Sequence, residues 1–146
     1  MVRYSEHFLG TFTQLIYKTK DSFVASKCLN QAIKFVNHST RVRYLAMKLQ
    51  PHMEELLHNY IVPITYLTQE DAELWRDDPV EYVRRQNEFH EAFYLPKNAA
   101  IDTIVALCSY KSDPDNASAK PDFLESFLAF CYHNVNQYTA MLAQNQ

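Results

Sequence analysis

The stretch that decides the interpretation of this chain is Glu73-Leu74-Trp75-Arg76-Asp77-Asp78-Pro79-Val80-Glu81-Tyr82-Val83-Arg84-Arg85. It contains the only tryptophan of the 146 residues and a step from Asp78 to Pro79. Proline suits the first position of a helix, where its missing N–H is not needed, and an aspartate before it can cap that helix. The stretch therefore predicts a structured loop that leads into a helix.

The composition is typical of a globular helical protein. Apolar residues make up 47% of the chain and charged residues 21%, and Gly10 is the only glycine. Because glycine serves the tight turns of hairpins, its near absence argues against an all-β fold. No apolar run is long enough to span a membrane.

Apolar residues recur three or four positions apart along most of the chain, which is the spacing of amphipathic helices. Pro51, Pro79, Pro96 and Pro121 are each expected to open a helix, and Pro63 is expected to kink one. The polar segments 68–78 and 111–120 are predicted loops. The clearest apolar stripe belongs to the last helix and consists of Leu124, Phe127, Leu128, Cys131, Val135, Tyr138 and Leu142.

These patterns predict an all-α fold of six helices in three antiparallel pairs, at about residues 1–49, 51–94 and 96–146. Each pair is close in length to the ~40–47 residues of a HEAT or armadillo unit. A HEAT-repeat-like α-solenoid segment is therefore favoured over the alternative of a compact helical bundle.

The sequence offers no pattern for catalysis, for a metal or for a cofactor. The six histidines lack ligand spacing, and one glycine cannot build a phosphate-binding loop. Cys28, Cys108 and Cys131 lie on apolar stripes, where burial would keep them reduced and unreactive. The chain is therefore predicted not to be an enzyme.

Charge is segregated along the chain. Residues 1–50 hold eight Lys/Arg and two acids, whereas residues 51–146 hold six Lys/Arg and fifteen acids. The basic half lacks a clustered recognition motif, which disfavours nucleic-acid binding. The acidic residues Glu70, Asp71, Glu73, Asp77 and Asp78 could instead form a face for a basic protein partner, with charge adding mainly association rate and selectivity.

The pattern Glu73-Leu74-Trp75-x-x-Asp78-Pro79-x-Glu81-Tyr82-x-Arg84 resembles the importin-beta superfamily of nuclear transport receptors, in its importin seven/eight branch. Further similar stretches lie at residues 29–37, 49–52, 61–64 and 130–132, so the resemblance covers most of residues 20–135. The resemblance implies an internal segment of about three HEAT repeats in a much longer protein. It also implies protein transport through nuclear pores, shuttling between nucleus and cytoplasm, control by Ran-GTP, contact with nuclear pore proteins through the full-length receptor, and basic cargo.

The matched motif also has a structural interpretation. Trp75 is expected to pack into the groove between repeats, Asp78 to cap the helix that Pro79 opens, and Glu81 to pair with Arg84 or Arg85. A solenoid segment should also expose apolar faces and associate with itself. The alternatives left open are a self-contained helical adaptor and, less favoured, a helical enzyme or metal protein.

Overall fold

The computed structural model describes residues 2–87, 95–113, 115 and 118–144, and these residues contain helices and no strands. The all-α class is confirmed. The helices are listed here in chain order: α1 Val2–Tyr17, α2 Ser26–Ser39, α3 Arg43–Leu56, α4 Val62–Ile64, α5 Gln69–Asp77, α6 Pro79–Asn87, α7 Pro96–Cys108 and α8 Leu124–Gln144. A 3₁₀ turn, Lys18–Lys20, follows α1, and a π turn, Leu57–Ile61, joins α3 to α4.

The helices form two layers. In one layer α1 packs beside α3, and α8 flanks the π turn, where the rings of His58 and Phe130 stack with their centroids 4.3 Å apart. In the other layer α2 packs against α7, and α1 and α4 connect the layers by packing on α2 and α7 respectively. This arrangement of stacked helices is that of a HEAT-like solenoid segment, as predicted. The assignment of three pairs with the stated boundaries stays a prediction.

The core lies between the two layers. It forms because α1, α2, α3 and α7 each place apolar residues three or four positions apart, so that one stripe of each helix faces inward. Full burial of such a side chain stabilises the fold by roughly 1.5–3 kcal/mol. The fully buried members with the largest side chains include Ile16, Ile33, Val36, Met53, Leu56, Leu57, Ile61 and Leu107.

One buried polar side chain connects distant parts of the chain within this core. Asn30 of α2 is fully buried, and its Nδ2 donates a hydrogen bond of 2.9 Å to the carbonyl oxygen of Leu95. Leu95 is the N-cap residue of α7, 65 residues further along the chain. The hydrogen bond therefore fixes where α7 begins relative to α2.

Two expected helix starts need correction. Pro51 does not open a helix but lies inside α3. The buried stripe of this helix, including Leu49 and Met53, continues across the proline, so packing offsets a cost of about 3 kcal/mol for an internal proline. The last helix begins at Leu124, three residues after Pro121. By contrast, Pro96 is the first residue of α7, as predicted.

The irregularity expected around Pro63 takes the form of the π turn that precedes it. The N–H of Val62 bonds to the carbonyl oxygen of Leu57, five residues back. A wider turn is a common response where a proline disturbs the ordinary helical ladder.

The cysteines differ from expectation in their exposure. Cys28 is exposed, so its predicted burial is wrong, whereas Cys108 and Cys131 are half-buried. Burial and the neighbouring Cys131 raise the pKa of the Cys108 thiol, which disfavours its reactive thiolate form.

Candidate protein-binding surface

The segment that carries the predicted acidic face is a helix, not the loop expected for residues 68–78. The side chain of Thr68 accepts a 3.0 Å hydrogen bond from the N–H of Asp71, and the Asp71 carboxylate accepts a 3.1 Å bond from the N–H of Thr68. This reciprocal capping box starts α5, which the helix-forming residues Gln69 to Leu74 then continue. The polarity of residues 68–78 favours a loop, whereas the Thr68-x-x-Asp71 spacing, also visible in the sequence, is that of a capping box.

Helix α5 turns directly into α6, and the two helices pack mainly against each other. We call residues 69–87 the acidic hairpin. Asp78 joins the helices: its Oδ1 accepts a 2.9 Å hydrogen bond from the N–H of Glu81, and Pro79 begins α6. The predicted cap and helix start are therefore confirmed. No residue of the hairpin whose exposure is described is buried, so it adds little to the core.

Glu81 pairs with both arginines that follow it, as expected. Its carboxylate accepts bonds of 2.6 and 2.8 Å from Arg84 and of 3.0 Å from Arg85. These hydrogen bonds, first from Arg84 and then from Arg85, lower the pKa of Glu81 to about 2. The carboxylate therefore stays ionised through the physiological range and holds one side of α6 together.

Trp75 lies on the surface, and its expected packing into a groove between repeats is wrong. Its side chain is 55% exposed and meets the edge of Tyr82 at a centroid distance of 5.4 Å. Aromatic contacts of this edge-to-face kind stabilise by about 0.5–1.5 kcal/mol beyond buried area. Trp75 therefore joins α5 to α6 instead of anchoring the hairpin in the core.

The five predicted acids fall into two groups with different tasks. Asp71 and Asp78 use their carboxylates as helix caps. Glu70, Glu73 and Asp77 are spaced three and four residues apart, which places them along one face of α5, and all three are exposed. We call these three the acidic row.

The acidic row keeps most of its charge open to solvent. Glu73 accepts a 2.8 Å bond from Gln69, and Asp77 accepts a 3.0 Å bond from the exposed Arg76 beside it. The side chain of Glu70 is exposed in the first turn of α5. It borders a hollow of about 240 Å³ between the hairpin and Leu95, whose other walls include Leu74, Tyr82 and Arg85.

Neither a metal-binding cluster nor a membrane-spanning helix occurs among the described residues. Across residues 2–87, 95–113, 115 and 118–144, no three His, Cys, Asp or Glu side chains are grouped so that they could hold a metal ion. No helix in the same ranges has both the length and the apolar character needed to cross a bilayer. The acidic hairpin carries the exposed carboxylates of the predicted acidic face.

Comparison with known proteins identifies the family. The family model described as Cse1 matches residues 2–113 of the chain. The chain belongs to the importin-beta family. Its relatives place this importin-beta family chain in the importin-7/8-like branch, as the resemblance predicted.

The relatives extend far beyond this chain. Importin-8 of Homo sapiens is 28% identical over 138 residues, which are 88% of this chain and 12% of the relative. Nonsense-mediated mRNA decay protein 5 of Saccharomyces cerevisiae is 26% identical over 131 residues, 86% of this chain and 12% of the relative. The Importin beta-like SAD2 homolog of Arabidopsis thaliana is 28% identical over 85 residues, 58% of this chain and 8% of the relative. The chain thus spans about an eighth of the human and yeast relatives, and no solved structure matches it.

Proposed function

We propose that the chain is a non-enzymatic protein-binding segment of a nuclear transport receptor. The receptor carries protein cargo through nuclear pores, shuttles between nucleus and cytoplasm, and releases or loads cargo under the control of Ran-GTP. The observation that supports this proposal is the match of residues 2–113 to an importin-beta family model, on a fold of two stacked helical layers. Ran-GTP and nuclear pore proteins are contacted by the full-length receptor.

The acidic row is our candidate for the cargo contact. Glu70, Glu73 and Asp77 are exposed on one face of a hairpin that adds no buried side chain to the described core, so a partner can reach them without disturbing the fold. Carboxylates in this setting favour a basic partner, mainly by accelerating encounter and rejecting acidic competitors. The cargo class is therefore a protein with an exposed, Lys/Arg-rich segment.

The cargo contact is tested by reversing charge at the acidic row alone. The triple variant Glu70→Lys, Glu73→Lys, Asp77→Lys leaves both caps in place and should weaken binding of a lysine-rich histone-tail peptide at least tenfold. The matched control Asp21→Lys, Asp102→Lys, Asp115→Lys makes the same net change at exposed acids elsewhere. Fluorescence anisotropy at two salt concentrations measures both, since exposed charges are screened by salt. Equal losses in the two variants would reject the acidic row as the contact.

The receptor proposal has a separate test in the full-length protein. Cargo bound to that protein should dissociate when Ran-GTP is added and should remain bound with Ran-GDP. If cargo dissociates equally with Ran-GTP and with Ran-GDP, control of cargo release by Ran-GTP is contradicted. This conclusion does not depend on the outcome at the acidic row.

We also propose that the chain associates with itself through an apolar stripe on α8. The stripe is exposed along one side of the helix and consists of Leu128, Tyr132, Val135, Tyr138, Met141 and Leu142. Exposed apolar surface of this extent is typical of interfaces.

A further inference from the structure

Helix α8 meets the end of α3 and the π turn through two side-chain contacts. The rings of His58 in the π turn and Phe130 of α8 are nearly parallel, at an angle of 4° and with centroids 4.3 Å apart. The hydroxyl of Ser126, one turn earlier in α8, donates a hydrogen bond to the carboxylate of Glu54 in α3. We call this ring stack and this hydrogen bond together the α8 latch.

The imidazole of His58 has one side open and one ring nitrogen enclosed. The side chain is half-buried and borders a hollow of about 470 Å³ between α3 and α8, whose walls also include Glu54 and Phe130. Its Nε2 atom, however, is buried and has no hydrogen-bond partner among the residues that the structure describes. The contact with α8 therefore separates one titratable nitrogen of the latch from solvent.

The charges around His58 are few, and the Glu54 carboxylate is the one that acts on it. Burial lowers the pKa of His58 below its ordinary value of 6.5, and Glu54 offsets part of this effect by raising the pKa. Glu55 also lines the hollow, while Glu125 at the start of α8 is paired with Lys120 at 2.6 Å. Helix α4 contains no titratable side chain, and no group of α7 in the described ranges contributes to the shift.

We propose that the α8 latch is sensitive to pH, because protonation of His58 in mildly acidic solution loosens the contact between α8 and the π turn. The neutral ring can hold its one hydrogen on Nδ1 while it stacks on Phe130. The protonated ring holds a hydrogen on each nitrogen, so the buried Nε2 becomes a donor without an acceptor. An unpaired buried donor costs more than the attraction between a cation and a phenyl ring returns. The imidazolium therefore favours arrangements in which Phe130 has moved and Nε2 reaches water.

Protonation of His58 also weakens the second contact of the latch. Glu54 lies four residues before His58, a spacing that places both side chains on one face of a helical segment. A cationic His58 attracts the Glu54 carboxylate, which otherwise accepts the hydroxyl of Ser126. The rings of Tyr110 and Phe123, just before α8, keep their centroid distance of 6.0 Å without any part of the latch. The helix is therefore loosened around the latch and stays attached at its beginning.

The direction of the pH effect follows from the lowered pKa of His58. The released side chain has its ordinary pKa of 6.5, so the loosened state binds more protons than the docked state just below that pH. The latch therefore stabilises docking fully above pH 6.5, and its contribution is lost progressively as the pH falls from 6.5 through the docked-state pKa. Glu81, with a pKa of about 2, stays ionised throughout this range. The inference concerns how α8 is held and goes beyond the proposed function.

An NMR titration of the His58 imidazole tests the enclosed nitrogen. The midpoint should be lower in the folded chain than in the same chain unfolded in urea. Phe130→Leu removes the stacked ring and should move the folded midpoint towards the unfolded one. The control Tyr132→Leu changes an exposed ring of the same helix and should leave the midpoint in place. Equal midpoints in the folded and unfolded chains would overturn the proposal.

Hydrogen exchange of the α8 amides tests the loosening itself. After correction for the intrinsic rate, opening around Phe130 should increase about threefold or more between about pH 7.5 and about pH 5.5. His58→Phe keeps a ring for stacking but cannot be protonated, so this pH dependence should disappear. His133→Gln, at an exposed position of α8, should retain it. The measurements are made at a concentration at which light scattering shows monomers, so that association through the stripe does not contribute.

Two further outcomes would overturn the proposal. One is an α8 opening that does not change with pH in the unmodified chain. The other is an unchanged pH dependence in His58→Phe. Circular dichroism checks that each variant remains helical, and if His58→Phe does not fold, the titration of Phe130→Leu decides in its place. Peptide binding at the acidic row and Ran-dependent release are measured at neutral pH, so they test the proposed function separately.

Discussion

Glu81 illustrates, at the scale of a single residue, how an exposed carboxylate can be kept ionised by local geometry. Two guanidinium groups from the next turn of α6 approach the same side chain, so each of its oxygens accepts a charge-assisted hydrogen bond. Such bonds favour the charged form and lower its pKa to about 2 from the ordinary value of 4.5. The cluster makes the first turns of α6 sensitive to acid and insensitive to pH near neutrality.

Acidification should break the contacts of Glu81 with Arg84 and Arg85 within a defined pH range. Because the folded pKa is lower than the unfolded one, Glu81 contributes stability above pH 4.5 and loses it as the pH falls towards about 2. NMR titration of the Glu81 carboxyl carbon should give a midpoint near 2 in the unmodified chain. In Arg84→Gln, Arg85→Gln the midpoint should move towards 4.5, while the distant control Arg43→Gln leaves it in place. If the midpoint stays near 2 in the double variant, Arg84 and Arg85 are not the cause of the low pKa of Glu81.

At the scale of the element, some features of the acidic hairpin are predictable from the sequence and others are not. The Asp78-Pro79 step and the Glu81 pairing were predictable because they depend on residues within four positions of one another. The helix at Gln69–Asp77 differs from the predicted loop because its residues are mostly polar, and polarity by itself does not distinguish a loop from a capped surface helix. The exposure of Trp75 depends on packing across the whole molecule, and local sequence does not contain it.

The difference between local sequence effects and packing across the molecule also explains why Pro51 lies inside α3. A proline usually marks a helix start because its ring excludes the preceding turn. In α3 the buried residues on both sides of Pro51 belong to one continuous stripe, so tertiary packing decided the helix boundary. The overall class and the amphipathic stripes were predictable, because they follow from periodicity along the chain.

The exposed position of Trp75 predicts a modest effect of its removal. Trp75→Ala should lower the free energy of unfolding by less than about 1.5 kcal/mol, because the indole is half in water and its main partner is Tyr82. Leu107→Ala, at a fully buried position of α7, should cost about 2–5 kcal/mol. Urea denaturation compares the two variants. Equal losses would show that Trp75 supports the core after all.

At the scale of the whole molecule, one layer of helices ends in an uncovered surface. Helix α8 contacts α7 and flanks the π turn with its inner side, and its outer stripe is exposed along most of its length. Apolar area removed from water contributes roughly 25 cal/mol per Å², so a stripe of six large side chains favours association. This surface is the reason to expect concentration-dependent behaviour of the chain.

Charges placed on that stripe should keep the chain monomeric. Tyr132→Glu, Val135→Glu introduces two carboxylates on the exposed stripe and should at least halve the associated fraction at high concentration, as measured by light scattering. Asn136→Glu, on the same helix at an exposed polar position, is the control and should change little. A monomeric unmodified chain, or equal association of all three proteins, would reject the stripe as an interface.

The pairing of α2 with α7 has a consequence for the order in which the chain can mature during synthesis. Asn30 and the side of α2 that packs on α7 find their partners only at Leu95 and beyond, 65 residues later. A ribosome adds about 5–20 residues per second, so the synthesis of these 65 residues takes roughly 3–13 s. Throughout this interval the nascent α2 has no α7 to cover it, so the first half of the chain is the part that chaperones would have to shield.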